Sequence, residues 1–171
     1  NIKTYERLHY ERILFQLDQL AQVPDLPGSK FVWAHIAAPH TPYVFNRDGS
    51  YKATNQGDGM TDEIVYLNQR VIPLLKDILQ KSTTPPIIIV QADHSKFEDA
   101  HGKLRILNAY YLPGGKDTLL YPTITPVNTF RVVLNAYFGG QYPLLPDRSF
   151  YSLYNGNPTQ LQEVPIECMG K

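Results

Sequence analysis

Residues 85–101 read PPIIIVQADHSKFEDAH. The run from Pro86 to Ala92 is apolar and rich in β-branched side chains, and it follows two prolines, so it predicts a strand over 86–92. The run stops at Asp93-His94, two side chains that can ligate a metal. They stand where a chain leaving a strand lets neighbouring side chains converge, as a straight strand does not. Two interpretations of the pair stand side by side. One is a metal site; the other is a strand-end Asp capping a turn beside a His in an ordinary hydrogen bond.

Working outward, residues 4–22 (TYERLHYERILFQLDQLAQ) set Tyr10, Ile13, Leu14, Leu17 and Leu20 at helical spacing, which predicts a helix. VPDLPG (23–28) ends it with two prolines and a glycine. KFVWAHIA (30–37) reads as a second buried strand, stopped by the prolines of APHTPY (38–43). NRDGS (46–50) is turn chemistry, and a polar loop runs on to Met60.

A second helix is expected over 61–82, with Thr61 as N-cap and a stripe of Ile64, Leu67, Val71, Leu75, Ile78 and Leu79. Pro73 should kink or split it. RILNAYYLP (105–113) predicts a further strand. Thr125-Pro126 opens a third helix that Gly139 closes, and RSFYSLY (148–154) reads as an edge strand. Strands that are near-continuous apolar runs and alternate with helices imply an α/β layered domain with a mostly parallel sheet. In such sheets functional residues gather at the carboxyl ends of strands, where His40 and Asp93-His94 would both fall.

Composition sets outer limits. The 171 residues suffice for one full core, and 43% hydrophobic with 19% charged residues is ordinary for a folded domain. Lys+Arg and Asp+Glu number 16 each, so net charge is zero, which argues against a nucleic-acid partner. Cys168 stands alone, so no intrachain disulfide forms. The chain opens Asn1-Ile2-Lys3, with neither an initiator Met nor a signal pattern, and reads as an excerpt of a longer polypeptide.

The remaining candidates each have a plain alternative. Prolines on both sides of His40 in PHTPY would stiffen an imidazole able to contact a tetrahedral anion; a turn histidine without any chemical role is the alternative. His35 reads as a core histidine and His9 as surface or packing. His101 follows a loop able to fold back over the Asp93 crevice. Glu98 and Asp99 read as solvated charges, and Arg105 as an anion contact or an ordinary ion-pair partner.

In their order along the chain, AHIAAPHTPYVF, a helix, PPIIIVQADHS and RILNAYYLPG resemble the C-terminal half of the alkaline-phosphatase/sulfatase superfamily. The resemblance is to its membrane-anchored bacterial branch, which includes lipoteichoic acid synthase and phosphoethanolamine transferases. LYPTITPVNTFRVVLNAYFGGQYPLLPDRSFYS (120–152) is further similar to uncharacterised bacterial sulfatase-like membrane proteins.

The resemblance implies a layered α/β/α, alkaline-phosphatase-like fold, present as an incomplete C-terminal half over 1–154, with a loose tail over 155–171. It implies Asp93 and His94 as metal ligands, His40 as the contact to the substrate's phosphate or sulfate, and His101 as a further substrate-site histidine. The implied cofactor is a divalent cation: zinc, manganese, magnesium or calcium. The implied substrate is a phosphate or sulfate ester, lipid-linked esters included, at the extracytoplasmic face of a bacterial membrane. The membrane would be reached through a region outside this soluble segment.

In the family the nucleophile and the first carboxylate ligand lie in the N-terminal half, and Ser95 stands where many members carry Gly. The segment alone is therefore expected to be inactive. The alternative is a non-catalytic α/β binding or scaffold module with a degenerate site.

Overall fold

The computed structural model describes residues 4–53, 58–96, 99–152 and 161–165, with the side chains of 100 and 101 outside that set. Two compact units divide the chain, residues 1–85 and 86–171.

In the first unit, α1 (Tyr5–Gln22) starts at Thr4, whose hydroxyl accepts the Arg7 N–H, and ends in a short 3-10 turn at Val23–Asp25. Helix α2 (Gly59–Lys81) starts earlier than the sequence suggests, because Asp58 rather than Thr61 accepts the capping N–H. It runs through Pro73 as one element. Ile13 and Leu17 of α1 meet Val44, Phe45, Tyr66 and Leu74 in a core. Phe45 stacks on Tyr66 at 4.5 Å between centroids and tilts against Tyr10 at 4.7 Å. That stacking rotates the buried face of α2 toward Glu63, Tyr66 and Leu74, and Ile64 is left exposed. Gly49 serves the same core. Its φ of 84° suits only glycine, a Cβ would strike the Tyr66 ring, and its carbonyl accepts the Tyr10 hydroxyl at 2.9 Å.

The expected strand over 30–37 does not form. Phe31 and Trp33 are 79% and 76% exposed, and among the described residues no strand pairs with the segment. A strand is stabilised by its ladder and its packed neighbours, so β-propensity without a partner leaves the segment irregular. Gln16 of α1 ties it down through the His35 carbonyl, and the His35 side chain is exposed rather than in the core.

The second unit holds β1 (Ile88–Gln91), α3 (Ala100–Leu104), β2 (Asn108–Tyr111), a 3-10 turn at Lys116–Leu119, α4 (Pro126–Tyr137), β3 (Ser149–Ser152) and β4 (Leu161–Val164). Strand β1 pairs with β2 antiparallel, Ile88 opposite Tyr111 and Gln91 opposite Asn108, and β3 pairs with β4 antiparallel. β4 falls in the stretch the sequence suggests is loose.

The layered α/β/α architecture with a mostly parallel sheet is therefore not the fold. The described residues form four α-helices and two separate two-stranded antiparallel sheets. The reason lies in the β1–β2 connection. A parallel crossover needs a helix long enough to carry the chain back past the strand. Here α3 has only five residues, about 7.5 Å at 1.5 Å per residue, against roughly 13 Å of strand, so the chain returns antiparallel. The apolar runs signalled burial, which Ile87, Ile89 and Tyr110 achieve against Val132 and Val133 of α4.

Helix α4 begins at Thr125-Pro126, as its sequence suggests, but Thr125 makes no side-chain cap. Asp147 caps it from a distance. One carboxylate oxygen accepts the Thr125 N–H (2.7 Å), the Thr125 hydroxyl (2.6 Å) and the Asn128 amide (3.1 Å), and the other accepts the Tyr121 hydroxyl (2.5 Å). Asn128, fully buried, also exchanges two bonds with the Leu145 backbone.

Desolvation alone would raise the Asp147 pKa. The bonds from Thr125, Tyr121 and Asn128 together outweigh it and hold the pKa below 3.8. The unfolded chain thus binds the proton first as pH falls, so the stabilisation is present above about pH 4 and lost below it. Asp147→Asn should lower stability by about 1–3 kcal/mol at neutral pH and flatten the acid limb. Urea unfolding at a series of pH values measures both effects.

Candidate functional site

Asp93 and His94 follow β1 after Ala92, in a loop pinched by two backbone bonds. Ala92 N–H donates to the Leu107 carbonyl and Ser95 N–H to the Lys103 carbonyl, each at 2.9 Å. The pair sits between these rungs, with Asp93 84% and His94 59% exposed. One Asp93 oxygen, Oδ1, accepts the His94 N–H at 3.0 Å. His94 Nδ1 lies 2.9 Å from the Ser95 carbonyl. A carbonyl only accepts, so Nδ1 carries the hydrogen and Nε2 of the neutral ring keeps its lone pair. That nitrogen is 3.9 Å from Asp93 Oδ2.

These donors fit two positions of a divalent cation's shell. Metal-bound histidines characteristically tie the other ring nitrogen to a carbonyl or carboxylate, as His94 does. Two ligands on one tetrahedral ion with bonds near 2.0 Å stand about 3.3 Å apart, so the pair would close by roughly half an ångström. Among the described residues no group of three or more His, Cys, Asp or Glu is arranged to hold a metal ion.

Of the neighbouring candidates, Asp99 is structural, since its carboxylate accepts the Gly102 N–H at 2.8 Å and caps α3. Arg105 is exposed and ends that helix. His101 lies on α3, but its side chain, like the whole of Glu98, lies outside the described residues.

His40 belongs to the first unit. Its ring is exposed, and its Nδ1 lies 2.6 Å from the Thr41 carbonyl, so Nδ1 again carries the hydrogen. Nε2 can therefore touch an anionic oxygen only when it is protonated too, as imidazolium. The flanking bonds Ala38–Pro39 and Thr41–Pro42 are cis.

Glu63 holds this loop, a role that its place near the start of α2 does not announce. Fully buried, it accepts the His40 N–H on one oxygen and the Val44 N–H on the other, both at 3.1 Å. Burial raises its pKa against the pull of those N–H groups and of His40. The adjacent Asp62 binds Arg47 (2.8 Å) and Lys52 (2.9 Å), fastening the 46–52 turn to α2.

Of the two readings of His9, surface or packing, burial selects packing. The residue is 3% exposed, lines up with Ile13 and Leu17 on one face of α1, and among the described residues neither ring nitrogen has a hydrogen-bond partner. Its spacing of four from Ile13 was the available signal, masked by its polarity. Burial first, then Arg12 and His40, lower its pKa, against an opposing pull from the Ala37 backbone.

Comparison with protein-family models, with curated proteins and with solved structures finds no match to this chain. No described helix is long and apolar enough to cross a membrane.

Two expectations follow. Glu63→Ala strands the buried Val44 N–H and frees the partly exposed His40 N–H, and should destabilise the first unit by about 1–3 kcal/mol, read by urea unfolding. Because the unfolded chain takes the His9 proton first, stability should fall as pH drops below 6.5 toward the lowered folded value. His9→Leu should abolish that slope and stabilise by about 1 kcal/mol at neutral pH. Destabilisation there would reveal a partner for the imidazole.

Proposed function

We propose that this chain supplies the C-terminal part of a metal-dependent hydrolase or transferase acting on phosphate or sulfate esters, and that by itself it is catalytically silent. The observation that carries this reading is the pair at the end of β1. A carboxylate oxygen and an imidazole nitrogen with its lone pair exposed stand 3.9 Å apart, and the tautomer that ligation needs is fixed by the Ser95 carbonyl. The order of the PHTPY, QADHS and NAYYLPG segments, similar to the alkaline-phosphatase/sulfatase superfamily, adds the chemical class.

In this reading Asp93 and His94 hold a divalent cation, which when bound supplies charge neutralisation for the transferred group. His40, in the first unit, is a separate candidate for an anion contact, with Glu63 fixing its backbone. The nucleophile and the remaining ligands come from elsewhere in the polypeptide. The family's position on the extracytoplasmic face of a membrane belongs to the same proposal.

A second reading has its own support. Among the described residues no third ligating side chain joins the pair, and both members are open to solvent, as in a binding or scaffold module with a degenerate site.

Thermal unfolding with zinc or manganese chloride separates the two, since an ion that binds only the folded chain raises Tm. The enzyme reading expects a rise that Asp93→Ala and His94→Ala each remove. No rise at millimolar ion, or a rise that survives both variants, favours the scaffold. Turnover of a phosphate or sulfate monoester by this chain, abolished by Asp93→Ala, would overturn the predicted silence.

A further inference from the structure

His9 is a buried titratable group that the candidate site leaves unused. Among the described residues neither of its ring nitrogens has a hydrogen-bond partner. Tyr5, one turn earlier on α1, stacks against the ring at 6.1 Å between centroids. The loop that presents His40 supplies further neighbours. The Ala37 backbone acts on the ring without closing a hydrogen bond to it, and His40 stands within electrostatic reach. A neutral imidazole tolerates this setting at modest cost. An imidazolium there is a buried cation without an acceptor, and the two charges that act on it, Arg12 of α1 and a protonated His40, both repel it.

The cover over His9 is weakly held. Residues 30–37 have no strand partner among the described residues, and Phe31 and Trp33 stand in solvent. Besides the packing of Ile36 and Ala38 on the core, two side-chain bonds tie down 35–43: Gln16 to the His35 carbonyl at 2.8 Å, and the His40 N–H to Glu63 at 3.1 Å. Val44 and Phe45, by contrast, are fully buried with Ile13 and Leu17, and Glu63 and the Lys52 N–H fasten Val44. A segment loose at one end and anchored at the other opens at lower cost than the unit unfolds.

We propose that residues 35–43 are an acid-released latch: protonation of His9 lifts them off α1, while Val44, Phe45 and the core between α1 and α2 stay closed. Nothing in this device depends on Asp93 or His94; it governs the placement of His40. Opened to water, the His9 ring titrates near its ordinary 6.5, and closed it titrates lower, because of burial, Arg12 and His40. The open form therefore takes the proton first. Opening becomes easier as pH falls below 6.5, by up to about tenfold per pH unit, until the closed ring titrates too. Glu63 of α2 works the other way. Burial raises its pKa, so the closed form takes that proton first and gains as pH falls toward 4.5.

Amide hydrogen exchange followed by NMR from about pH 7.5 to about pH 5, with and without sub-denaturing urea, tests the latch. The Ala38 and His40 amides should be protected at least about tenfold less than those of Ile13 and Leu17, and their exchange should barely depend on urea. Below pH 6.5 their protection should fall by up to about tenfold per pH unit. Whole-unit unfolding also exposes His9, so the urea-independent exchange is what reports the latch. His9→Gln, which takes no proton, should remove the pH slope and keep the urea independence. Latch amides that exchange only together with Ile13 and Leu17, at the same rate and urea dependence, overturn the proposal. So does a wild-type chain without the slope, or a slope that survives His9→Gln. If His9→Gln does not fold, the wild type decides: the His9 ring and the Ala38 amide must titrate with one midpoint, and separate midpoints overturn the latch.

Discussion

The buried carboxylate of Glu63 is the constraint on which the first unit turns. A carboxylate removed from water is costly unless its oxygens are satisfied, and here the two backbone N–H groups that satisfy it are those of His40 and Val44. One side chain thus joins the N-terminal part of α2 to the loop that presents His40. Val44 and Phe45, set in place by the same contact, complete the core with Ile13, Leu17 and Tyr66. The exposed ring of His40 and the buried aromatic stack are two ends of one short segment.

The second unit uses the same device in another place. Asp147 lies far along the chain from the N-terminus of α4, yet it satisfies donors on Thr125, Asn128 and Tyr121 at once. Negative charge at that end of a helix is also favoured by the backbone dipoles. With α4 held there, Val132 and Val133 give β1 and β2 a surface to cover, and Asp93-His94 come two residues after the end of β1. The candidate metal pair therefore depends on a strand whose packing rests on this helix. Its own tautomer is set locally, by the Ser95 carbonyl.

His9 and Glu63 pose the same difficulty to a sequence reading. Each sits at helical spacing among apolar residues, and each is a polar residue that amphipathic reasoning assigns to the surface. Burial of such groups is decided by what packs over them, here the 36–44 segment, and no local pattern carries that information. The reverse holds for Phe31 and Trp33, which composition places in a core and the fold leaves in solvent.

By itself the sequence determined the local elements: three long helices from their apolar spacing and proline punctuation, short strands within 86–92, 105–113 and 148–154, and a polar Asp-His step at the end of an apolar run. These are properties of neighbouring residues, and backbone sterics and hydrogen bonding within a few positions suffice to set them. Tertiary structure alone decided that β1 and β2 run antiparallel, that residues 30–37 find no strand partner among the described residues, that α2 turns Tyr66 rather than Ile64 inward, and that Glu63 and Asp147 hold distant backbone. Strand direction and burial depend on which remote segments meet. That choice is set by connection length and by the satisfaction of buried polar groups, neither of which leaves a periodic mark in the chain.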